Sequence, residues 1–182
     1  MMKKALIITL FALMGLSAMA QEKQQTINWM SFEEAVARCA KQPKMVFIDV
    51  FTDWCGWCKR MDQTTFVNPV IAKYMNEHFY AVKFDAERQD TITYQGKQFV
   101  GFMRPDGRRG SHELAKALLK GKMSYPSYVI MNENQQPLQV IGGYMDAKQF
   151  EPMIHFFGDG AYKTMNGDDF LKDFKSELEP KE

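Results

Sequence analysis

Two cysteines three positions apart, in the run Trp54-Cys55-Gly56-Trp57-Cys58-Lys59, carry the most specific chemistry in this 182-residue chain. They directly follow an apolar stretch (MVFIDVF, residues 45–51) that reads as a buried strand, so they fall on the first turn of the next helix. Unpaired backbone N–H groups and the helix dipole at that place favour a thiolate on the first cysteine. A thiolate is the species that attacks disulfides. Cys55 is therefore the candidate nucleophile, and Cys58, one turn on, can resolve the mixed disulfide. Gly56 keeps the intervening turn open, and Trp54 and Trp57 either pack the loop or shape an apolar docking rim. Zinc sites use the same spacing but need two further ligands. Cys39, His78, His112 and His155 are scattered singly, so no metal is expected. A static structural disulfide remains the plain alternative. Asp49 is the other unusual residue, because an apolar strand is an expensive place for a carboxyl group. Either it is a satisfied buried acid or it serves the cysteines, and the cost favours service.

The surrounding pattern predicts the elements that position these groups. Ser31-Phe32-Glu33-Glu34 has the form of a capping box and opens a helix that ends before Pro43. A helix beginning near Pro69 leads into a second buried strand, FYAVKF, over residues 79–84. With residues 45–51 this makes a β-α-β unit whose strands should be parallel. Residues 91–104 alternate weakly around Gln95-Gly96 and read as a hairpin, and Ser111 is expected to cap a short helix through Leu119. Residues 128–131 and 138–141 read as an antiparallel pair, Asp146 caps a helix to Gly158, and residues 168–178 read as a last amphipathic helix. Cys39 is expected as a small buried hydrophobe, Phe150, Met153, Ile154 and Phe157 as core, and Arg104, Arg108 and Arg109 as a solvated loop. The whole is an α/β domain with a mixed, helix-covered sheet.

The charge balance, 23 Lys+Arg against 22 Asp+Glu, excludes a polybasic nucleic-acid binder. Three cysteines are too few for a disulfide-dense scaffold, and 12 Gly with 7 Pro exclude collagen-like and low-complexity classes. Residues 1–20 have a Lys3-Lys4 start, an apolar run and small residues at Ala18 and Ala20, the layout of a secretory signal peptide cleaved after Ala20. The apolar run is shorter than the roughly 20 residues a spanning helix needs, so no stable membrane insertion is expected. An exported, periplasmic protein is the resulting expectation, with residues 21–30 a tail and 31–182 one domain.

FIDVFTDWCGWCK and Tyr125-Pro126 resemble the thioredoxin superfamily. The resemblance implies a thioredoxin-like fold, a central mixed β-sheet flanked by helices, with an extended segment (about 86–122) before a cis-proline. It gives Asp49 the part of the buried acid that helps deprotonate Cys58, and Lys83 that of the strand lysine beside it. It makes Pro126, with Tyr125 before it, the cis-proline facing the cysteines, and Gly142, in the pair Gly142-Gly143, the glycine closing the substrate groove. The W-C-x-W-C-K core and the export signal look most like periplasmic thioredoxin-like proteins and the C-terminal domain of membrane disulfide-interchange reductases. That likeness implies a thiol-disulfide oxidoreductase that reduces protein disulfides, needs no soluble cofactor, and draws electrons from a membrane thiol-disulfide donor. Oxidation or isomerisation stays open, as does a non-catalytic binding module that uses the groove and residues 86–122. Three departures stand out: Gly-Trp between the cysteines where thioredoxin has Gly-Pro, Tyr125 where it has an aliphatic residue, and the longer connection to Pro126.

Overall fold

A computed structural model describes residues 25–178. The signal-peptide reading of residues 1–20 lies outside them. A five-stranded sheet of order β1-β3-β2-β6-β7 forms the centre, built from β1 (Trp29–Met30), β2 (Met45–Phe51), β3 (Phe79–Asp85), β6 (Ser127–Met131) and β7 (Pro137–Gly142). β2 is the middle strand, parallel to β3 and antiparallel to β6, and helices cover both of its faces. That position explains why the run is apolar at every residue but Asp49. Its period of two sends Val46, Ile48 and Val50 to one core with Phe32, Phe84 and Leu114. It sends Met45 and Phe47 to the other, with Met61, Ile71, Tyr128, Phe150 and Ile154. Asp49 shares the parity of Phe47, so it falls on the face that α2 (Gly56–Thr64), which carries Met61, covers.

The helices α1 (Phe32–Lys41), α3 (Pro69–His78) and α5 (Ala147–Gly158) start where the caps predict them. Ser31 Oγ accepts the Glu34 N–H, but the Glu34 carboxylate pairs with Arg38 instead of returning to the cap. At α5 the reciprocal box is complete, between Asp146 and Gln149. The cap of α4 (Glu113–Leu118) is His112, not Ser111: its ring Nδ1 accepts the Leu114 N–H.

Two further expectations need correction. The tail does not extend to residue 30, because Trp29 and Met30 pair with Ala81 and Val82, and Ile27 is buried. Trp29 drives this by packing edge-on against Phe66, 5.1 Å between centroids. The final helix, α6 (Gly167–Asp173), stops short of residue 178. Buried Glu151 of α5 accepts the Ser176 hydroxyl and, at 2.6 Å, the Glu177 N–H, and holds the chain outside a helix. The hairpin expected around Gln95-Gly96 is present and ends at Val100: β4 (Thr91–Tyr94) and β5 (Lys97–Val100) pair about that turn, whose two residues are both at positive φ. Ile92, Tyr94 and Phe99 seat it in the core beside Phe32.

Candidate active site

Cys55 is the N-cap of α2 and is joined to Cys58 as a disulfide, with Cα atoms 5.3 Å apart. The Cys58 N–H points at Cys55 Sγ, 3.1 Å away. That N–H, one of the unpaired donors of the first turn, would stabilise a thiolate on Cys55 once the bond is reduced. Both cysteines are buried, while Trp54 and Trp57 on either side are 66% and 62% exposed. Two exposed indoles thus flank a recessed sulfur pair. Trp54 meets Tyr125 edge-to-face at 5.7 Å, and Trp57 leans on Tyr144 at 5.3 Å.

Asp49, 1% exposed, is held by Lys83, its register partner on β3, with Nζ 2.6 Å from Oδ2. Its Oδ1 has no hydrogen-bond partner. Burial pushes the Asp49 carboxyl up to about 6, against the opposing pull of Lys83 and with some help from the negative charge of Asp62. Lys83 also donates to Asp62, so one ammonium serves two carboxylates, one buried and one exposed. It rests over the rings of Trp29, Phe51 and Phe66, all within 5.3 Å. Asp62 was not singled out in the sequence, although its place four residues after Cys58 puts both on one side of a helix.

The Tyr125-Pro126 peptide is cis, and it sits just ahead of β6. The Pro126 carbonyl accepts the Gly143 N–H at 2.8 Å. Of the two glycines, Gly143 is the one whose backbone requires glycine, at φ 104°, whereas a Cβ on Gly142 would meet only ordinary contacts at 3.4 Å or more. Arg109 departs from the solvated-loop expectation: its guanidinium lies 2.9 Å from Asp85 and 2.6 Å from Asp53, two residues before Cys55. Among the described residues, no three His, Cys, Asp or Glu side chains converge as a metal site.

A sulfur pair at the start of the helix after the central strand, a buried acid within that strand and a cis-proline ahead of β6 define a thioredoxin-fold protein with a CxxC centre. The chain belongs to the Thioredox_DsbH family (protein of unknown function, DUF255), whose model matches residues 16–158. Among solved structures it is similar to one described as DsbH oxidoreductase, with TM-score 0.52, 17% identity, and 77% of this chain and 87% of the other covered. A thioredoxin-fold protein from Helicobacter pylori gives TM-score 0.55 at 17% identity over 82% of this chain and 87% of the other. At these identities the likeness is one of fold. In sequence the chain is similar to human spermatogenesis-associated protein 20, 25% identical over 124 residues, 68% of this chain. It is also similar to the thiol:disulfide interchange protein DsbD of Vibrio vulnificus, 30% identical over 82 residues, 43% of this chain. The matched stretches are only 14% and 13% of those relatives. Family, fold and cysteine pair are together consistent with thiol–disulfide redox chemistry. No helix among the described residues is long and apolar enough to cross a membrane.

Proposed function

We propose that the protein is an exported thiol-disulfide oxidoreductase that reduces disulfides of protein substrates. The observation that carries this is the Cys55–Cys58 pair at the start of α2, recessed between two exposed tryptophans. In the reduced enzyme the Cys55 thiolate attacks one sulfur of the substrate disulfide. The mixed disulfide forms and the first substrate thiolate leaves. Asp49 then accepts the Cys58 proton, and the Cys58 thiolate attacks Cys55 Sγ, re-forming the bond seen here and releasing the second substrate thiolate. Two electrons pass to the substrate, and a membrane thiol-disulfide donor restores the dithiol. Trp54, Trp57 and Tyr125 offer the docking rim, with Pro126 and Gly142 lining the strand-pairing edge. Export rests on residues 1–20, and the reducing direction on the resemblance to disulfide-interchange reductases.

Cys58→Ser should accumulate mixed disulfides with partner proteins, and Cys55→Ser none; equal trapping by both variants overturns the assignment. Equilibration against thiol redox buffers fixes the direction. A potential near about −270 mV marks an electron donor, and one near about −120 mV marks an oxidant and reverses the proposed direction.

A further inference from the structure

The segment between β3 and Pro126 reaches the candidate site through one side chain. Arg109 is fixed at its own end by the backbone: it pairs with Met103 in an isolated bridge, and the turn between them is closed by the Arg104 N–H on the Arg108 carbonyl at 2.8 Å. The base of the same loop is anchored by buried His112. Its N–H donates to the Ala86 carbonyl at 2.7 Å, and its ring spans the Leu114 N–H and the Asp90 carbonyl. From this mount the Arg109 guanidinium grips Asp53 and Asp85 and comes within 3.9 Å of Glu87. Asp85 in turn accepts the Glu87 N–H at 2.9 Å, and Glu87 accepts the Trp54 indole N–H, 3.2 Å from either carboxylate oxygen. Asp53 and Trp54 are the two residues before Cys55. One arginine therefore ties together the end of β3, the approach to the nucleophile and the carboxylate that holds Trp54.

A cleft of about 450 Å³ opens against Trp54, and a second of about 390 Å³ runs on to Phe102. They share Glu87, Arg104 and Arg109 as a common wall. Together they extend from Trp54 along the segment between β3 and Pro126, in the way an extended chain needs and a small disulfide does not.

We propose that Arg109 is a positioning residue: acting through Asp53 and Glu87, it holds Trp54 as the wall of a channel that selects polypeptide disulfides over small ones. The proposal rests on the dithiol reading above. An indole already held in place loses no rotamer freedom on docking. Freeing it should cost a polypeptide substrate roughly two- to tenfold in kcat/KM, expressed in KM. A small disulfide reaches Cys55 without leaning on Trp54 and feels none of this.

The test compares the full-length protein with its Arg109→Ala, Arg109→Lys and Glu87→Gln variants, on a synthetic disulfide-bonded peptide and on hydroxyethyl disulfide. Indole N–H relaxation of Trp54 is measured by NMR alongside. The expected result for Arg109→Ala is a raised peptide KM with near-normal kcat, unchanged hydroxyethyl disulfide turnover, an unchanged reduction potential and a more mobile Trp54 indole. Arg109→Lys should recover part of the KM loss. An unchanged peptide KM, or equal losses on both substrates, overturns the proposal. If the parent protein reduces neither substrate, the dithiol reading fails; the indole signal still decides the arginine's role, because a Trp54 that stays rigid in Arg109→Ala refutes it.

Discussion

Asp49→Asn should make the protein more stable at alkaline pH, by an amount that vanishes on acidification. In the folded protein the Asp49 carboxyl is buried, one oxygen has no partner, and burial outweighs Lys83 in raising its pKa from 3.8 to about 6. Because the folded value lies above the unfolded one, the folded state binds more protons between about pH 4 and 6. Stability therefore falls as pH rises through that window, and the loss is complete above it. A shift of about two units corresponds to about 3 kcal/mol, of which about 2–3 kcal/mol should develop between pH 4 and pH 8. Asparagine has the same shape and does not titrate, and Lys83 keeps Asp62 as its partner. Urea unfolding of both proteins, with the disulfide intact, should show stability differences that widen by that amount from pH 4 to pH 8. Curves that stay parallel across the range would refute the reasoning. If Asp49 takes the Cys58 proton, the same variant should also release mixed disulfides more slowly near neutral pH.

Asp62→Asn leaves Lys83 to Asp49 alone and removes a negative charge that raises the Asp49 pKa, so the Asp49 titration should move to lower pH. Carboxyl carbon NMR reads this directly, and an unmoved or raised midpoint counts against it. Glu151→Ala strips the acceptor from the Ser176 hydroxyl and the Glu177 N–H. Amide exchange at residues 174–178 should quicken, with a global loss of about 1–2 kcal/mol in denaturant unfolding. A Glu177 amide that stays protected in this variant would show that the segment is held by something else.

The elements legible in the sequence were those whose signals are local. The strand run of residues 45–51, the cysteine pair at a helix start, the hairpin turn at Gln95-Gly96 and the caps at Ser31 and Asp146 each declare themselves within a few residues. A two-residue strand such as Trp29–Met30 has no period to read, and its place is set by Ala81 and Val82 across the sheet. A histidine cap at α4 is not an ordinary capping residue, and the accepting ring is recognisable only once His112 is seen buried against the Asp90 carbonyl. The last helix failed because its amphipathic pattern runs past the point where Glu151, 25 residues earlier, claims the hydroxyl of Ser176.

The candidate site divides along the same line. Sequence alone determined that two thiols lie at a helix start, that an acid sits in the apolar strand before them, and that tryptophans flank the pair, because spacing within one segment sets all of these. Tertiary structure decided what surrounds them. It brought Lys83 from the neighbouring strand between Asp49 and Asp62, and it carried Arg109 across 56 positions to Asp53. Charge pairs at such separations leave no periodic trace in a chain. They come into being when the sheet sets the register and the segment between β3 and Pro126 brings Arg109 to Asp53.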